Sequence, residues 1–380
     1  MAWLKDIKRA LKNFGDVPRP RAERLPAPTL AAHYGPDSSS IPAGVKNISS
    51  SGIYLFTEKR LHSGDLITLT LEERGHAESG SEMQISLHAR VAREAEDGMG
   101  LSFVLPPGLD MDLWGVLVRN IVVLKDPEQV ADMFRTLHTI LFLSRICQSG
   151  AAESIVLLGN DLHPDRTATL VKIALGAEKL LAAEPHADRM RAHPTLVANI
   201  LRDGSWAPDE LTAQLWTGLL ASSCTFDTPD DSNQILVDLL VNVTPTQAKI
   251  YNLACQRGLV RASSARDLVT TASVVLTPKE MIELTGVHDL ARAATDLAYL
   301  YNLGLIRNVF DFSSYHEIDS FDISPSRLGL ELYAHCHGSR ENLDPLLIEK
   351  AKAQLAHFLP EPLPMDALGA PPPLPPTPGS

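Results

Sequence analysis

The stretch from Val45 to Phe56 reads Val-Lys-Asn-Ile-Ser-Ser-Ser-Gly-Ile-Tyr-Leu-Phe and decides the fold of the N-terminal part. Two runs of β-forming residues flank three serines and a glycine, Ser49 to Gly52. Serine and glycine favour turns, so the stretch predicts two strands joined by a tight turn or bulge. Asn47, Ser49 and Gly52 form the pattern Asn-x-Ser-x-x-Gly. Gly52 suits such a turn through either a positive φ or a close backbone approach.

The residues after this turn continue the strand pattern. Leu66 to Leu71 is rich in β-branched residues, and Gln84 to Arg93 alternates apolar and polar side chains. Both patterns are typical of strands with one buried face. His62 to Asp65 and Asp97-Gly98 are turn sequences, and Gly100 to Val104 predicts a last short strand. The N-terminal third therefore predicts a small β domain.

The order of these strands resembles the PilZ domain, a small β-barrel that binds cyclic di-GMP. The family motif Asp/Asn-x-Ser-x-x-Gly matches at Asn47, Ser49 and Gly52, and the final family strand, Gly-hydrophobic-x-Phe, matches at Gly100 to Phe103. The resemblance covers roughly Arg19 to Asn120. It implies a six-stranded barrel with cyclic di-GMP as its ligand.

The other family motif, Arg-x-x-x-Arg, precedes the first strand, and here the chain departs from it. Arg24 fits the second arginine, but the first falls on Pro20, which stands between two neighbouring arginines. Arginine suits this ligand because its guanidinium binds phosphate and guanine edges as a bidentate donor. The ligand-binding residues that the resemblance implies are Arg19, Arg21, Arg24, Asn47, Ser49 and Gly52. Two alternatives stay open: a nucleotide-binding barrel, and a barrel without ligand that serves as a docking module.

Charge and cysteine usage exclude several classes of protein. The formal charge of −12 and the pI of about 5.5 argue against a general nucleic-acid binder. The four cysteines are far apart and include no Cys-x-x-Cys pair, so neither a disulfide scaffold nor a zinc site is indicated. No apolar run is long enough to span a membrane, and the N-terminus lacks the apolar core of a signal peptide. We therefore expect a cytoplasmic protein.

Motifs for catalysis are missing from the sequence. It contains neither a Gly-x-x-x-x-Gly-Lys phosphate loop nor a serine in a nucleophile elbow. His335-Cys336-His337 places adjacent side chains in diverging directions on a helix, which predicts a packed helix end and not a metal site. We therefore expect no catalytic residues, no metal and no cofactor.

Met1 to Phe14 predicts a short amphipathic helix with lysines and an arginine opposite its apolar residues. Two interpretations stay open: peripheral contact with an anionic membrane, or docking on the rest of the protein. Residues 1–18 are predicted to form this helix and the start of an arginine- and proline-rich connector, Asp16 to Pro28, and residues 19–124 are predicted to form the barrel with a trailing helix, Asp110 to Leu124.

The chain is mainly helical from Asp126 onward. Asp126-Pro127 predicts a helix start with proline at the first helical position. Residues 125–356 are the predicted α-helical domain, in which Asn233 to Asn242 is nearly all apolar and predicts a buried helix. Residues 357–380 are rich in proline and predict a disordered tail.

Residues 244–338 show the element order of a winged helix. Two Thr-Pro start signals and a helix over His288 to Leu303 precede two predicted strands, Leu305 to Val309 and Glu317 to Ile323. The long helix is neutral to acidic, whereas phosphate contacts need lysine and arginine. We therefore expect protein contact or intramolecular packing, and not nucleic-acid binding.

A second resemblance covers roughly Glu210 to Gly338. The segments Glu210 to Ser223, Gln234 to Tyr251 and Ser324 to Cys336 resemble the Abi-alpha family of abortive-infection proteins, mostly through helix-packing residues. This resemblance implies an association with phage defence and no catalytic residues.

The sequence as a whole predicts a non-enzymatic α+β multidomain protein. A six-stranded PilZ-like barrel precedes a mainly helical domain that ends in a winged-helix-like segment. The leading hypothesis is a receptor or effector that binds cyclic di-GMP and passes the signal to an unidentified protein partner through the helical domain. The alternatives are a non-binding interaction scaffold and a phage-defence protein.

Overall fold

The computed structural model describes residues 23–35, 41–59, 61–73, 84–109, 111–159, 163–226, 230–261, 270–307 and 319–340. The described residues fall into two compact units, one within Met1–Ile250 and Glu331–Arg340 and the other within Tyr251–Leu330. The predicted N-terminal helix, Arg19, Arg21 and the proline-rich tail lie outside the described residues. The domain limits inferred from the sequence, 1–18, 19–124, 125–356 and 357–380, stay predictions.

The first unit begins with a closed antiparallel β-barrel. Its strands are β1 (Leu25–Pro26), β2 (Leu30–Gly35), β3 (Ile41–Ser49), β4 (Gly52–Phe56), β5 (Leu66–Glu73), β6 (Gln84–Ala95) and β7 (Gly98–Val104). The six strands β2 to β7 pair in the cyclic order β2-β3-β4-β7-β6-β5, and β5 pairs with β2 to close the barrel. Strand β1 adds two residue pairs to β3. The prediction of a six-stranded barrel is confirmed.

Alternating side chains fill the barrel core. Along β6, every second residue from Ile85 to Val91 is buried and the residues between them are exposed. Strand β2 is a part of the core that the sequence pattern did not reveal, because its Leu-Ala-Ala-His-Tyr-Gly contains two alanines and a glycine, which are weak strand formers. It is held by antiparallel pairing with β3 and β5 on its two sides.

Helices make up the rest of the first unit. They are α1 (Met111–Val123), α2 (Pro127–Cys147), α3 (Ala151–Gly159), α4 (Pro164–Ala182), α5 (Pro194–Gly204), α6 (Glu210–Ser222), α7 (Gln234–Val241) and α8 (Pro245–Arg257), and α8 continues into the second unit. The predicted start of α2 is confirmed, since the Asp126 carboxylate accepts a hydrogen bond of 3.3 Å from the Glu128 backbone N–H. Most of α2 is buried, which makes it the central helix of this part.

Helix α7 corrects one expectation from the sequence. Its apolar composition predicted a buried helix, yet only Leu236, Val237 and Leu240 are buried. Ile235 is 66% exposed and Val241 is 50% exposed. One side of α7 packs on α5, so burial follows that contact and not the composition of the helix.

The second unit combines short strands and helices. Its strands are β8 (Leu259–Arg261), β9 (Thr270–Ala272), β10 (Val274–Leu276) and β11 (Phe321–Ile323). Its helices are α9 (Pro278–Thr285), α10 (Leu290–Asn302) and the start of α11 (Arg327–Cys336). One of the two Thr-Pro start signals forms a capping box at the start of α9: the Glu280 backbone N–H donates to Thr277 Oγ1 at 3.3 Å, and the Thr277 backbone N–H donates to Glu280 Oε2 at 2.8 Å.

The strand pairing of this unit differs from the predicted ribbon. Strand β11 pairs with β10, which the sequence pattern did not reveal. The described residues 305–307 form no strand, and Ile306 forms only an isolated bridge with Pro325. The pairing with β10 buries Val274 and Leu276 together with Phe321 and Ile323, which explains why β10 is the partner. The winged-helix interpretation stays a prediction.

Candidate functional site

A cleft of about 170 Å³ opens on the barrel surface beside β1, β3, β4, β6 and β7. Four of the six predicted ligand residues line it: Arg24, Asn47, Ser49 and Gly52. The connector wall of the cleft consists of Arg24, which directly precedes β1. The strand wall consists of Asn47, Ser49, Ser51–Tyr54, Ala92, Arg93 and Gly100–Ser102.

The pairing of β1 with β3 brings the connector wall to the strand wall. Leu25 stands opposite Ile48 and Pro26 stands opposite Asn47. Arg24 is the next residue towards the N-terminus and is exposed. Two residue pairs are therefore enough to place its guanidinium at the edge of the cleft.

The β3–β4 turn contributes the motif residues of the strand wall. Ser49 pairs with Gly52 across the turn, and its hydroxyl donates to the Gly52 carbonyl at 3.2 Å. Ser49 is only 4% exposed, and its Oγ lies 3.3 Å from Ser51 Oγ. Ser49 therefore stabilises the turn that presents the motif.

Gly52 is required by a close backbone approach. A Cβ at this position would lie 2.1 Å from the Leu101 carbonyl oxygen, which is inside the contact distance of any side chain. Gly52 is not among the glycines with positive φ in the described residues. Of the two reasons that the sequence left open, the approach of β4 to β7 is the one that the structure supports.

Two β-bulges flank the cleft. The pairing register of β3 shifts between Val45 and Asn47, and that of β6 shifts between Val91 and Arg93. A bulge bends its strand and changes the direction of the neighbouring side chains. Asn47 and Arg93 each follow a bulge and each line the cleft.

Arg93 is a cleft residue that the sequence analysis did not identify. It stands opposite Gly100, where a Cβ would lie 3.0 Å from both Cγ and Nε of Arg93. Its Cζ lies 5.7 Å from the centroid of the Tyr54 ring, a distance at which a cation is attracted to the ring face. The alternation of β6 would place Arg93 on the same face as Ile85 and Val91, and the bulge between Val91 and Arg93 is what brings it to the cleft instead.

Tyr54 also anchors a charged cluster next to the cleft. Its hydroxyl donates a hydrogen bond to Asp97 Oδ1, and Lys46 Nζ lies 2.9 Å from Asp97 Oδ2. Lys46 Nζ lies 5.1 Å from the Tyr54 ring centroid and 5.0 Å from that of Phe56. The Tyr54 hydroxyl, followed by the Lys46 ammonium, lowers the pKa of Asp97 below its usual value because both stabilise the carboxylate.

Helix α1 contacts three segments that form or adjoin the cleft. A Cβ at Gly115 would lie 3.3 Å from Cβ of Ser50 in the β3–β4 turn. Trp114 is fully buried and packs edge-on against Phe103 of β7, with ring centroids 5.4 Å apart. Arg119 forms an ion pair of 3.1 Å with Glu23, which directly precedes Arg24. Helix α1 therefore connects the cleft to the helices that follow.

Two segments of the chain match known families. Residues 18–118 match the PilZ domain. Residues 167–328 match the family described as abortive infection alpha. Both resemblances seen in the sequence are confirmed, and the second match begins well before Glu210. PilZ domains form a family of cyclic di-GMP receptors, and neither family is known as an enzyme family.

A crystal structure of an uncharacterized Legionella protein is similar to part of the chain. The similarity covers 26% of this chain and 89% of that protein, at 18% sequence identity and a TM-score of 0.18. No curated protein matches the chain.

The described ranges hold neither a membrane-spanning helix nor a cluster of metal ligands. None of the helices found there combines the length and the apolarity needed to cross a membrane. Within those ranges, no group of three or more His, Cys, Asp or Glu side chains is arranged to hold a metal ion. In the His335-Cys336-His337 segment, His337 Nδ1 lies 2.8 Å from the Tyr333 carbonyl, and burial lowers the pKa of His335.

Proposed function

We propose that the barrel binds cyclic di-GMP in this cleft and that the chain is a non-enzymatic, cytoplasmic receptor or effector. The observation that supports the proposal is the convergence of Arg24 with Asn47, Ser49 and Gly52 on one cleft, within the segment that matches the PilZ domain. The ligand carries two phosphates and two guanines, so it needs cationic donors and amide groups together.

Each residue has a distinct part in this proposal. Arg24 binds phosphate or a guanine edge with a charge-assisted hydrogen bond. Asn47 contributes an amide that donates and accepts hydrogen bonds. Ser49 and Gly52 hold the turn, and Gly52 allows the ligand and β7 to approach the backbone closely. Arg19 and Arg21 add further guanidinium groups from the connector.

The signal passes to a protein partner through helix α1 and the helices after it. Glu23 and Arg119 join the connector to α1, and Ser50 joins the β3–β4 turn to α1. A ligand shifts such an arrangement only as far as its affinities for the two states differ. Ordering of Arg24 on the ligand changes the position of its neighbour Glu23, and this is the step that reaches Arg119.

Calorimetric titration of the full chain with cyclic di-GMP tests the binding step. At about 5 µM protein, we expect a saturable heat with a Kd in the micromolar range or below, and no saturable heat with GMP. Absence of heat with cyclic di-GMP up to about 100 µM would contradict the proposal. That result would favour the scaffold alternative.

The scaffold alternative rests on the broken arginine motif, in which only Arg24 stands in the family register. A barrel of this kind recruits its partner regardless of nucleotide. Affinity capture with the full chain distinguishes the two: a partner recovered equally with and without cyclic di-GMP favours the scaffold, and a partner recovered only with the nucleotide favours the receptor.

A role in phage defence is the second candidate, and the match of residues 167–328 to the abortive infection alpha family favours it. Plaque counts on bacterial cells with and without the protein test this role. We expect more plaques without the protein, and equal counts over a panel of phages would argue against it.

A further inference from the structure

We propose that Arg93 is the second ligand-binding arginine of the cleft and that it contacts a phosphate of the nucleotide from the strand wall. This inference rests on the proposed function, because it assigns a residue of the same site. The connector offers one arginine in the family register, Arg24, and holds Pro20 where the other would stand. Arg93 supplies the missing cation from a different part of the chain.

The backbone around Arg93 places its side chain in the cleft. The register shift between Val91 and Arg93 sets Arg93 opposite Gly100 and leaves Ala92 as the extra residue of the bulge. Gly100 lacks a side chain, and a Cβ there would lie 3.0 Å from two atoms of Arg93. The arginine therefore lies across the neighbouring strand in the space that Gly100 leaves open.

The Tyr54 ring supports the guanidinium in this position. Tyr54 is 6% exposed, and its hydroxyl is bonded to Asp97, so the ring has a fixed place in the strand wall. The Arg93 Cζ lies 5.7 Å from the ring centroid. An arginine that is held on an aromatic face loses less conformational freedom when it binds an anion.

The charge of Arg93 is available to an anion. Among the described residues, the other cation near the Tyr54 ring, Lys46, is paired with Asp97, whereas no ion pair joins Arg93 to a carboxylate. Arg90 on the same strand is different, since its guanidinium donates to the Gly64 carbonyl at 3.1 Å and it does not line the cleft. Arg90 is therefore a matched control for Arg93.

The test is calorimetric titration of full-length variants with cyclic di-GMP. Arg93→Ala and Arg93→Gln are expected to weaken binding by about 10-fold or more, the usual loss for a charge-assisted contact. Arg90→Ala is expected to stay within about 2-fold of wild type. Circular dichroism checks the fold of each variant, and if Arg93→Ala does not fold, Arg93→Gln, which keeps most of the side-chain stem, is judged by the same criterion.

The outcomes separate this inference from the proposed function. If wild type binds and the folded Arg93 variants bind equally well, the assignment of Arg93 is wrong and the proposed function stands. If Arg19→Ala weakens binding more than Arg93→Gln, the connector supplies the second cation and the inference is again wrong. If wild type gives no heat, the proposed function and this inference fall together.

Discussion

The two walls of the cleft are built in different ways. In the strand wall, β4 and β7 approach so closely that a Cβ at Gly52 would lie 2.1 Å from the Leu101 carbonyl, and one at Gly98 would lie 1.9 Å from the Leu55 carbonyl. The connector wall depends on the two residue pairs of β1 and on the Arg119–Glu23 ion pair, whose side chains are 63% and 69% exposed.

Because the walls differ in this way, we expect the strand wall to determine the stability of the barrel and the connector wall to determine its affinity for the ligand. A surface ion pair contributes about 0–1 kcal/mol, so the connector wall adds little to the stability of the barrel. The strand wall is part of the closed barrel, and its polar groups are in position before a ligand arrives. Substitutions at the closely packed glycines of β4 and β7 should therefore damage the fold. Substitutions in the connector wall should change ligand affinity alone.

The largest expected effect is that of Gly52→Val in the strand wall. The new side chain would meet the Leu101 carbonyl, so β4 and β7 would have to separate. We expect the free energy of unfolding to fall by about 3 kcal/mol or more, measured by urea unfolding with circular dichroism. Ser86→Val is the control, because it places the same side chain at an exposed position of β6. It should change the free energy of unfolding by about 0.5 kcal/mol or less. An unchanged urea midpoint for Gly52→Val would show that the strands are not closely packed.

The second expected effect concerns affinity in the connector wall. Arg24→Ala should weaken cyclic di-GMP binding by roughly 10- to 150-fold, because it removes a charge-assisted contact of about 1.5–3 kcal/mol. Its stability should stay within about 0.5 kcal/mol of wild type, since Arg24 is exposed. Arg19→Ala, out of the family register, should cost less. Two results would contradict the difference between the walls. One is a loss of stability in Arg24→Ala, and the other is an Arg24→Ala variant that binds cyclic di-GMP as tightly as a wild type that binds it.

The sequence predicted the parts of the fold that depend on local pattern. The strands around the Ser49–Gly52 turn, the alternating β6 and the start of α2 at Asp126 all carry their signal within a few residues. Strand β2 and the pairing of β10 with β11 could not be predicted in the same way. Strand β11 is distant in sequence from β10, and β2, although its partner β3 follows it closely, consists of weak strand formers.

The residues of the candidate site also differ in whether a local sequence pattern predicts them. Asn47, Ser49 and Gly52 lie within one short motif, so their proximity follows from a single turn. Arg93 and Tyr54 meet only because β7 lies between β6 and β4 and because the bulge in β6 resets the register. No pattern in the sequence contains that information, and Arg93 was therefore missed.

The smallest expected effect is that of Asp97→Asn on stability. This substitution tests what the hydrogen bonds of Tyr54 and Lys46 to Asp97 contribute to the strand wall. These bonds lower the pKa of Asp97 below 3.8, its ordinary value. A carboxyl whose pKa is lower in the folded state contributes stability above its unfolded pKa, and this contribution is lost as the pH falls through the folded pKa. Asp97→Asn should therefore be slightly less stable than wild type near pH 7, with a difference that shrinks below pH about 4.

Urea unfolding of both proteins across this pH range measures the difference, and Tyr54→Phe provides the control. The Tyr54 hydroxyl is the largest cause of the lowered pKa, so the effect of Asp97→Asn should be reduced in a Tyr54→Phe background. A difference between wild type and Asp97→Asn that stays constant as the pH falls would mean that the carboxylate charge adds nothing to the strand wall. Backbone pairing alone would then hold Tyr54 in place beside Arg93, and the contrast with the connector wall would rest on the β4–β7 approach.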